Sequence, residues 1–316
     1  MKQKNELLTV LLASMTLTVC GGAWGDGGDT LAPVASAIVT SVPAATYEAT
    51  SSEALAYETL NAERLQCGFG LLAQNARLDQ AATAHLNYLE QNMVLAHLQE
   101  PGMAGFTGVR PSDRAAVAGY DPRRVSETMA TAWFTEDAEY AVRRILSAPY
   151  HLLVALHGLR DVGVALGPTI VGFRTLVMLF GLTKSAEHQD AESQDAGKVL
   201  TYPCEGSTGV LASIGEEAPT PFPEEADAVW GQPILVKGAS DLRVAAVWIT
   251  GHGGSVAIKA LYGDGQTTDP NGQCKEGVAC IIPAALVPDT SYIATVTGKN
   301  AGARFRSTFR FRTGAR

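Results

Sequence analysis

Six histidines and a scatter of carboxylates are the groups in this chain able to hold a metal or move a proton. None of them stands in a familiar local arrangement. No His-Glu-x-x-His run offers a helical zinc pair, no Gly-x-Ser-x-Gly turn presents a nucleophile, and no phosphate-cradling Gly-rich loop occurs. His85 falls on the apolar face of an expected helix and reads as a core histidine. His252, between Gly251 and Gly253, reads as a turn tip, and His157 and His188 as surface residues. Asp264, Asp269 and Asn271 crowd a turn-rich loop without EF-hand spacing, so turn chemistry explains them better than calcium. Near the C-terminus Phe305, Phe309 and Phe311 alternate with Arg304, Arg306, Arg310 and Arg312. On a strand that alternation separates an apolar face from a cationic one, which could meet anionic sugars or phosphates. A solvated outer face is the simpler account.

The elements that must position these groups come from a chain of 316 residues, enough for two ordinary domains. A net charge of −8 excludes a general nucleic-acid binder, which needs a basic face. With 46% hydrophobic and 18% charged residues, the chain can bury cores and is not disordered as a whole. Lys2 and Lys4 precede an apolar stretch over 7–19, shorter than the ~20 residues that span a bilayer, so it reads as an export signal. Two processing routes fit. Leu17-Thr18-Val19-Cys20 resembles a lipobox, with Val19 departing from the usual small residue, and would leave Cys20 lipidated. Cleavage after Ala23-Trp24-Gly25 would instead release the chain. The expected location is therefore the cell envelope, lipid-anchored in the outer membrane, or the medium, with membrane contact only through the N-terminal lipid.

Either cut leaves Cys67, Cys204, Cys274 and Cys280 in an oxidising compartment. Four cysteines allow three pairings. Cys274 and Cys280 enclose a short loop, which favours that bridge, and Cys67–Cys204 follows by elimination. No Cys-x-x-Cys spacing supports a zinc knot.

The pattern divides the chain into a signal (1–20), a tether (21–46), a first domain (47–183), a polar linker (184–200) and a second domain (201–316). In the first domain Ser51 or Ser52 caps a helix to about Gln66, which Gly68 ends. Leu78, Ala82, His85, Leu89 and Met93 mark a second helix. Thr135 caps a third, limited by Pro149, and strands follow over 162–166 and 175–180. Short strands between Gly, Pro, Asn and Asp clusters make the second domain a β-sandwich.

Several motifs then fall in a recognisable order. Leu60-Asn61-Ala62-Glu63-Arg64 stands in the first helix. Ala96-His97 leads to Pro111-Ser112-Asp113-Arg114 and Gly119-Tyr120, and Val125-Ser126-Glu127-Thr128-Met129 comes next. Ser147-Ala148-Pro149-Tyr150-His151 and Asp161-Val162-Gly163-Val164-Ala165 close the series. Residues 60–181 thereby resemble the CAP superfamily of cysteine-rich secretory proteins, antigen 5 and pathogenesis-related 1, in its bacterial form. The resemblance implies an α+β fold, an α-β-α sandwich, here followed by an all-β Ig-like sandwich. Phe309-Arg310-Phe311-Arg312-Thr313-Gly314 resembles the closing strand of bacterial Ig-like modules.

Carried over by position, the family's cleft residues are His97, Glu127 and His151, donors suited to a divalent cation such as Zn²⁺. Ser126 and Thr128 replace the family's Gly and Asn, and its second Glu and its Trp have no counterpart near Ile145. Glu100 lies near His97 but reads as a solvated loop acid. The resemblance implies an envelope-displayed protein acting mainly by binding a metal ion with an apolar or glycan ligand, or by adhesion. An envelope lipid, a polysaccharide or a protein is the expected partner. A metal-assisted hydrolase using the same three residues is the first alternative, and a lipid or sterol carrier the second. A hydrogen-bonded His–Glu–His network with no ligand is the plain structural account.

Overall fold

The computed structural model describes residues 38–170, 172–184, 198–225, 227–263, 265 and 267–316. The expected signal with Cys20, the tether through residue 37, linker residues 185–197, His188 and Asp264 lie outside the described residues.

Helix α1 (Ser52–Gln66) opens where Ser51 Oγ accepts the Ala54 N–H at 3.0 Å, and the chain leaves it through Gly68 at φ +81°. Asn61, Glu63 and Arg64 of its motif do structural work. The fully buried Arg64 donates to the carbonyls of Phe69, Gly70, Ala155 and His157, and Asn61 pairs with both backbone groups of Leu72. Strand β1 (Ala73–Gln74) leads into α2 (Ala76–Asn92), capped by Asn75. A short α3 (Pro111–Val117) precedes β2 (Pro122–Trp133). Helix α4 (Ala138–Ser147) starts from Asp137, which accepts the Tyr140 N–H at 2.9 Å, and not from Thr135 as expected. Glu136 is diverted to the Trp133 N–H, so the turn closes before the helix begins. Pro149 does more than limit α4. It opens α5 (Pro149–Ala155) at the first helical position, where its missing N–H costs nothing.

Strands β3 (Asp161–Pro168) and β4 (Phe173–Thr183) form the expected hairpin and complete a sheet ordered β1-β3-β4-β2. Alternation along β4 sorts the core. Leu176, Met178, Phe180 and Leu182 face α1, α4 and α5, while Val177 and Leu179 face α2 and α3. The result is an α-β-α sandwich. Gly163 is required by the approach of α2: a Cβ there would lie 2.1 Å from the Leu78 carbonyl carbon.

Downstream, β5 (Leu200–Tyr202), β7 (Ile234–Lys237), β10 (Ile258–Tyr262) and β11 (Val278–Pro283) form a sheet ordered β10-β11-β7-β5. Strands β6 (Ser207–Val210), β8 (Arg243–Gly251), β9 (Gly254–Ser255), β12 (Ser291–Asn300) and β13 (Ala303–Thr313) form another, ordered β6-β13-β12-β8-β9. Ile234, Val236, Ala279 and Ile281 meet Val296, Phe309 and Phe311 in the core between the two sheets. The opposite face of the first of these sheets is also buried. Leu235, Cys280 and Ile282 share one apolar cluster with Ile145, Leu146 and Leu152 of α4 and α5. Helices α4 and α5 are thus sandwiched between two sheets, and residues 38–316 belong to one compact unit.

Both disulfides form, Cys67–Cys204 between the halves and Cys274–Cys280 within the second. Among the described residues no helix is long and apolar enough to cross a membrane.

Candidate functional site

Glu127 is the centre of a buried polar cluster. Its side chain is 1% exposed on β2 and is reached from three directions. Arg114 of α3, itself fully buried, donates from Nη2 to Glu127 Oε2 at 2.6 Å. His97, on the loop joining α2 to α3, sets Nδ1 2.9 Å from Glu127 Oε1. His85 of α2 brings Nε2 within 3.6 Å of the same oxygen. Burial alone would raise the Glu127 carboxyl. The His97 hydrogen bond, the adjacent His85 imidazole and the Arg114 guanidinium outweigh it and hold the group below its ordinary value.

Arg114 has a second task. Its Nη1 donates to the carbonyls of His97 and Val109, so one guanidinium fixes both ends of the histidine loop to the carboxylate. His85 supports the same loop: Nε2 meets the Ala96 carbonyl at 3.0 Å and Nδ1 the Gln99 side-chain nitrogen at 3.0 Å. Those partners define a neutral imidazole with Nε2 as donor and Nδ1 as acceptor. Burial pushes His85 down to about 4, against the pull of Glu127. The unfolded chain therefore takes up a proton below pH 6.5 that the folded chain refuses. Stability is complete above that pH and falls by up to about 3 kcal/mol on descending toward pH 4. Urea unfolding at pH 7, 5.5 and 4.5 checks this, and the slope flattens in His85→Gln.

His151 approaches from α5. Its ring centroid lies 6.1 Å from that of His97. Its carboxylate partner is not Glu127 but Glu217, which the downstream half supplies. Glu217 Oε1 lies 2.9 Å from His151 Nδ1 and also accepts the backbone N–H groups of Tyr150 at 2.7 Å and His151 at 2.9 Å. One fully buried carboxylate thus caps the start of α5, which has no side-chain cap of its own, and orients the histidine within it. The opposing end of α4 is closed from the same half: Trp230 Nε1 and Gln232 Nε2 donate to the Ser147 and Leu146 carbonyls at 3.2 and 2.7 Å.

The three residues carried over by resemblance therefore lie close together, with His97 bonded to Glu127 and its ring beside that of His151. Two further residues, Arg114 and Glu217, escaped functional assignment from the sequence. Arg114 stood in a quoted motif without a role. Glu217 carries no local signal, being 66 residues from its partner. Glu100 is exposed and held through its backbone, its N–H donating to Tyr88 Oη and its carbonyl accepting from Met103 N–H.

A divalent cation needs donors not already engaged. Both Glu127 oxygens have partners, and among the described residues no three His, Cys, Asp or Glu groups converge as a ready-made metal cage. The cleft offers the second ring nitrogens of His97 and His151. Glu217, behind His151, keeps Oε2 as a buried oxygen without a hydrogen-bond partner. Donor chemistry therefore fits a site completed by water or ligand.

The model of the cysteine-rich secretory protein (CAP) family matches residues 57–167. Among solved structures, an outer surface protein from Borrelia burgdorferi is similar at 18% identity and a TM-score of 0.36, covering 44% of this chain and 97% of that one. An extracellular protein containing a SCP domain from Bacillus anthracis is similar at 19% identity and a TM-score of 0.34, covering 41% of this chain and 40% of that one. No curated protein matches the sequence at a significant level. With the family match laid over the α-β-α layers and the motif residues that hold them, residues 57–167 form a CAP domain of the cysteine-rich secretory protein family.

Proposed function

We propose that the chain is an exported binding protein whose CAP cleft recruits a divalent cation of the zinc type through His97 and His151. The observation that carries the reading is the pair of buried carboxylates behind the imidazoles, each 2.9 Å from an Nδ1. A histidine that donates Nδ1–H to a carboxylate keeps its Nε2 lone pair free, and this is the outer-shell arrangement that raises ligand basicity. When bound, the ion supplies a Lewis-acidic centre with open positions for an oxygen-bearing ligand. The chain's own work is positioning. Arg114 anchors Glu127 and the His97 loop, and Glu217 fixes α5. Because both carboxylates are committed to histidines, neither stands free as a general base, which favours binding over hydrolysis.

Export is supported by the basic, apolar N-terminus and by two disulfides. Lipidation at Cys20 would tether the chain to the envelope. The loop that carries His97 also exposes Leu95, Leu98, Met103, Phe106 and Val109, which suits a ligand with an apolar part.

Zn²⁺ titration of the full chain by calorimetry tests the reading. Wild type binds about one ion, the His97→Ala/His151→Ala variant does not, and Glu217→Gln weakens affinity about 10–100-fold. If wild type binds nothing while the variants lose stability, the histidines are structural and the proposal fails.

A further inference from the structure

A second surface, independent of the cleft, lies on the outer face of the β6-β13-β12-β8-β9 sheet. Along β13, Phe309 and Phe311 enter the sandwich core, so Arg304, Arg306, Arg310 and Arg312 all point outward and are exposed. At 3.4 Å per residue the four run along about 27 Å of one strand. Cross-strand register extends the row sideways: Arg304 lies opposite Lys299, and Lys299 opposite Arg243, both exposed. Six cations therefore share one face of a chain whose net charge is −8. Protein surfaces ordinarily intersperse the two signs, and here they do not.

The acids at the rim are occupied. Asp289 lies 3.7 Å from Arg312, Glu205 accepts the Arg310 backbone N–H, and Asp241 accepts those of Ala301 and Gly302. Of the six cations, Arg312 alone pairs with a carboxylate among the described residues.

The centre of the face is of another kind. One rung holds Thr308, Thr295 and Trp248 side by side, with the two threonine hydroxyl oxygens 3.1 Å apart and the indole 53% exposed. Arg306 and Arg310 occupy the rungs on either side, about 12 Å from Trp248 diagonally across two strands. A flat aromatic ring left open to water, flanked by hydroxyls and guanidinium groups, matches a ligand with apolar ring faces, hydroxyls and regularly spaced anions.

We propose that this face is a docking surface for an acidic polysaccharide. The guanidinium groups pair with its carboxylates or sulfates, and Trp248 packs against a sugar ring. A linear row along one strand fits a linear polyanion. A bilayer would need more apolar projection than Trp248 and Ile293, the two exposed large hydrophobic residues on this face, provide.

The test is calorimetric binding of the full chain to alginate, with dextran, phosphatidylglycerol vesicles and a single-stranded DNA oligonucleotide as comparisons. Alginate binds and dextran does not, and the affinity falls as salt rises. The Arg306→Glu/Arg310→Glu pair lowers affinity about tenfold or more. Trp248→Ala weakens binding with the salt dependence retained, and His97→Ala/His151→Ala leaves it unchanged. Thermal unfolding is recorded for each variant, and Arg306→Lys/Arg310→Lys retains most of the binding if the first pair misfolds. No alginate binding at low salt, indifference to these substitutions, or preference for vesicles or DNA overturns the proposal.

Discussion

Replacing Trp230 with Ala lowers the stability of the whole chain by about 3–5 kcal/mol, in the range for deleting a large buried aromatic. Trp230 is fully buried, packs at a tilt against Phe222 with 5.7 Å between ring centroids, and donates to the last carbonyl of α4. Its cluster joins α1, α4 and α5 to the β10-β11-β7-β5 sheet, so the cavity is felt on both sides. Urea unfolding followed by circular dichroism therefore moves to lower denaturant as one transition, and α5 loses hydrogen-exchange protection. A loss below about 1 kcal/mol would place Trp230 outside the core network. So would a split into two transitions with α5 unaffected.

Arg114→Ala produces the second large effect. It removes the guanidinium 2.6 Å from a carboxylate that has 1% exposure, and leaving that charge unpaired costs about 3–5 kcal/mol. Part of the cost is released by acid. In wild type the Glu127 carboxyl sits below its ordinary 4.5, so its contribution is present above that pH and lost as pH falls through the lowered value. Without Arg114 the carboxyl rises and takes up a proton sooner, and the gap between variant and wild type narrows toward pH 4. The same change frees the carbonyls of His97 and Val109, so amides of the loop between α2 and α3 exchange faster. Equal destabilisation at pH 7 and pH 4 would show that lost packing, not the charge pair, carries the effect.

Legibility in the sequence followed the range of the interactions involved. Helix α1 was readable because its cap and its terminating glycine are local, and α2 because one face repeats Leu78, Ala82, His85 and Leu89. The β3–β4 hairpin announced itself as an apolar run, and the loop between Cys274 and Cys280 made one bridge, and by elimination the other, accessible. Strand β2 did not, since Ser126, Glu127, Thr128 and Thr131 break the alternation that a half-buried strand shows. The fold tolerates them because Arg114 and the helices on either face satisfy or cover them. Helix α5 was hidden for a related reason: its N-terminal cap is Glu217, a residue of a different segment. The cleft had the same division. His97, Glu127 and His151 entered together only through resemblance to a family, whereas Arg114 and Glu217 needed coordinates.

The closure of α4 and α5 by Trp230, Gln232 and Glu217 has a consequence for how such a chain changes over generations. Multidomain proteins diversify by recombination when each module satisfies its own polar groups and buries its own apolar surface. Here a foreign CAP segment joined to this β-region would arrive without matching partners for Trp230 and Gln232. A foreign β-region would leave the first turn of α5, and with it His151, without an acceptor. The two halves are therefore expected to be inherited as a pair. A substitution at Glu217 would be compensated at His151 rather than among its own sequence neighbours.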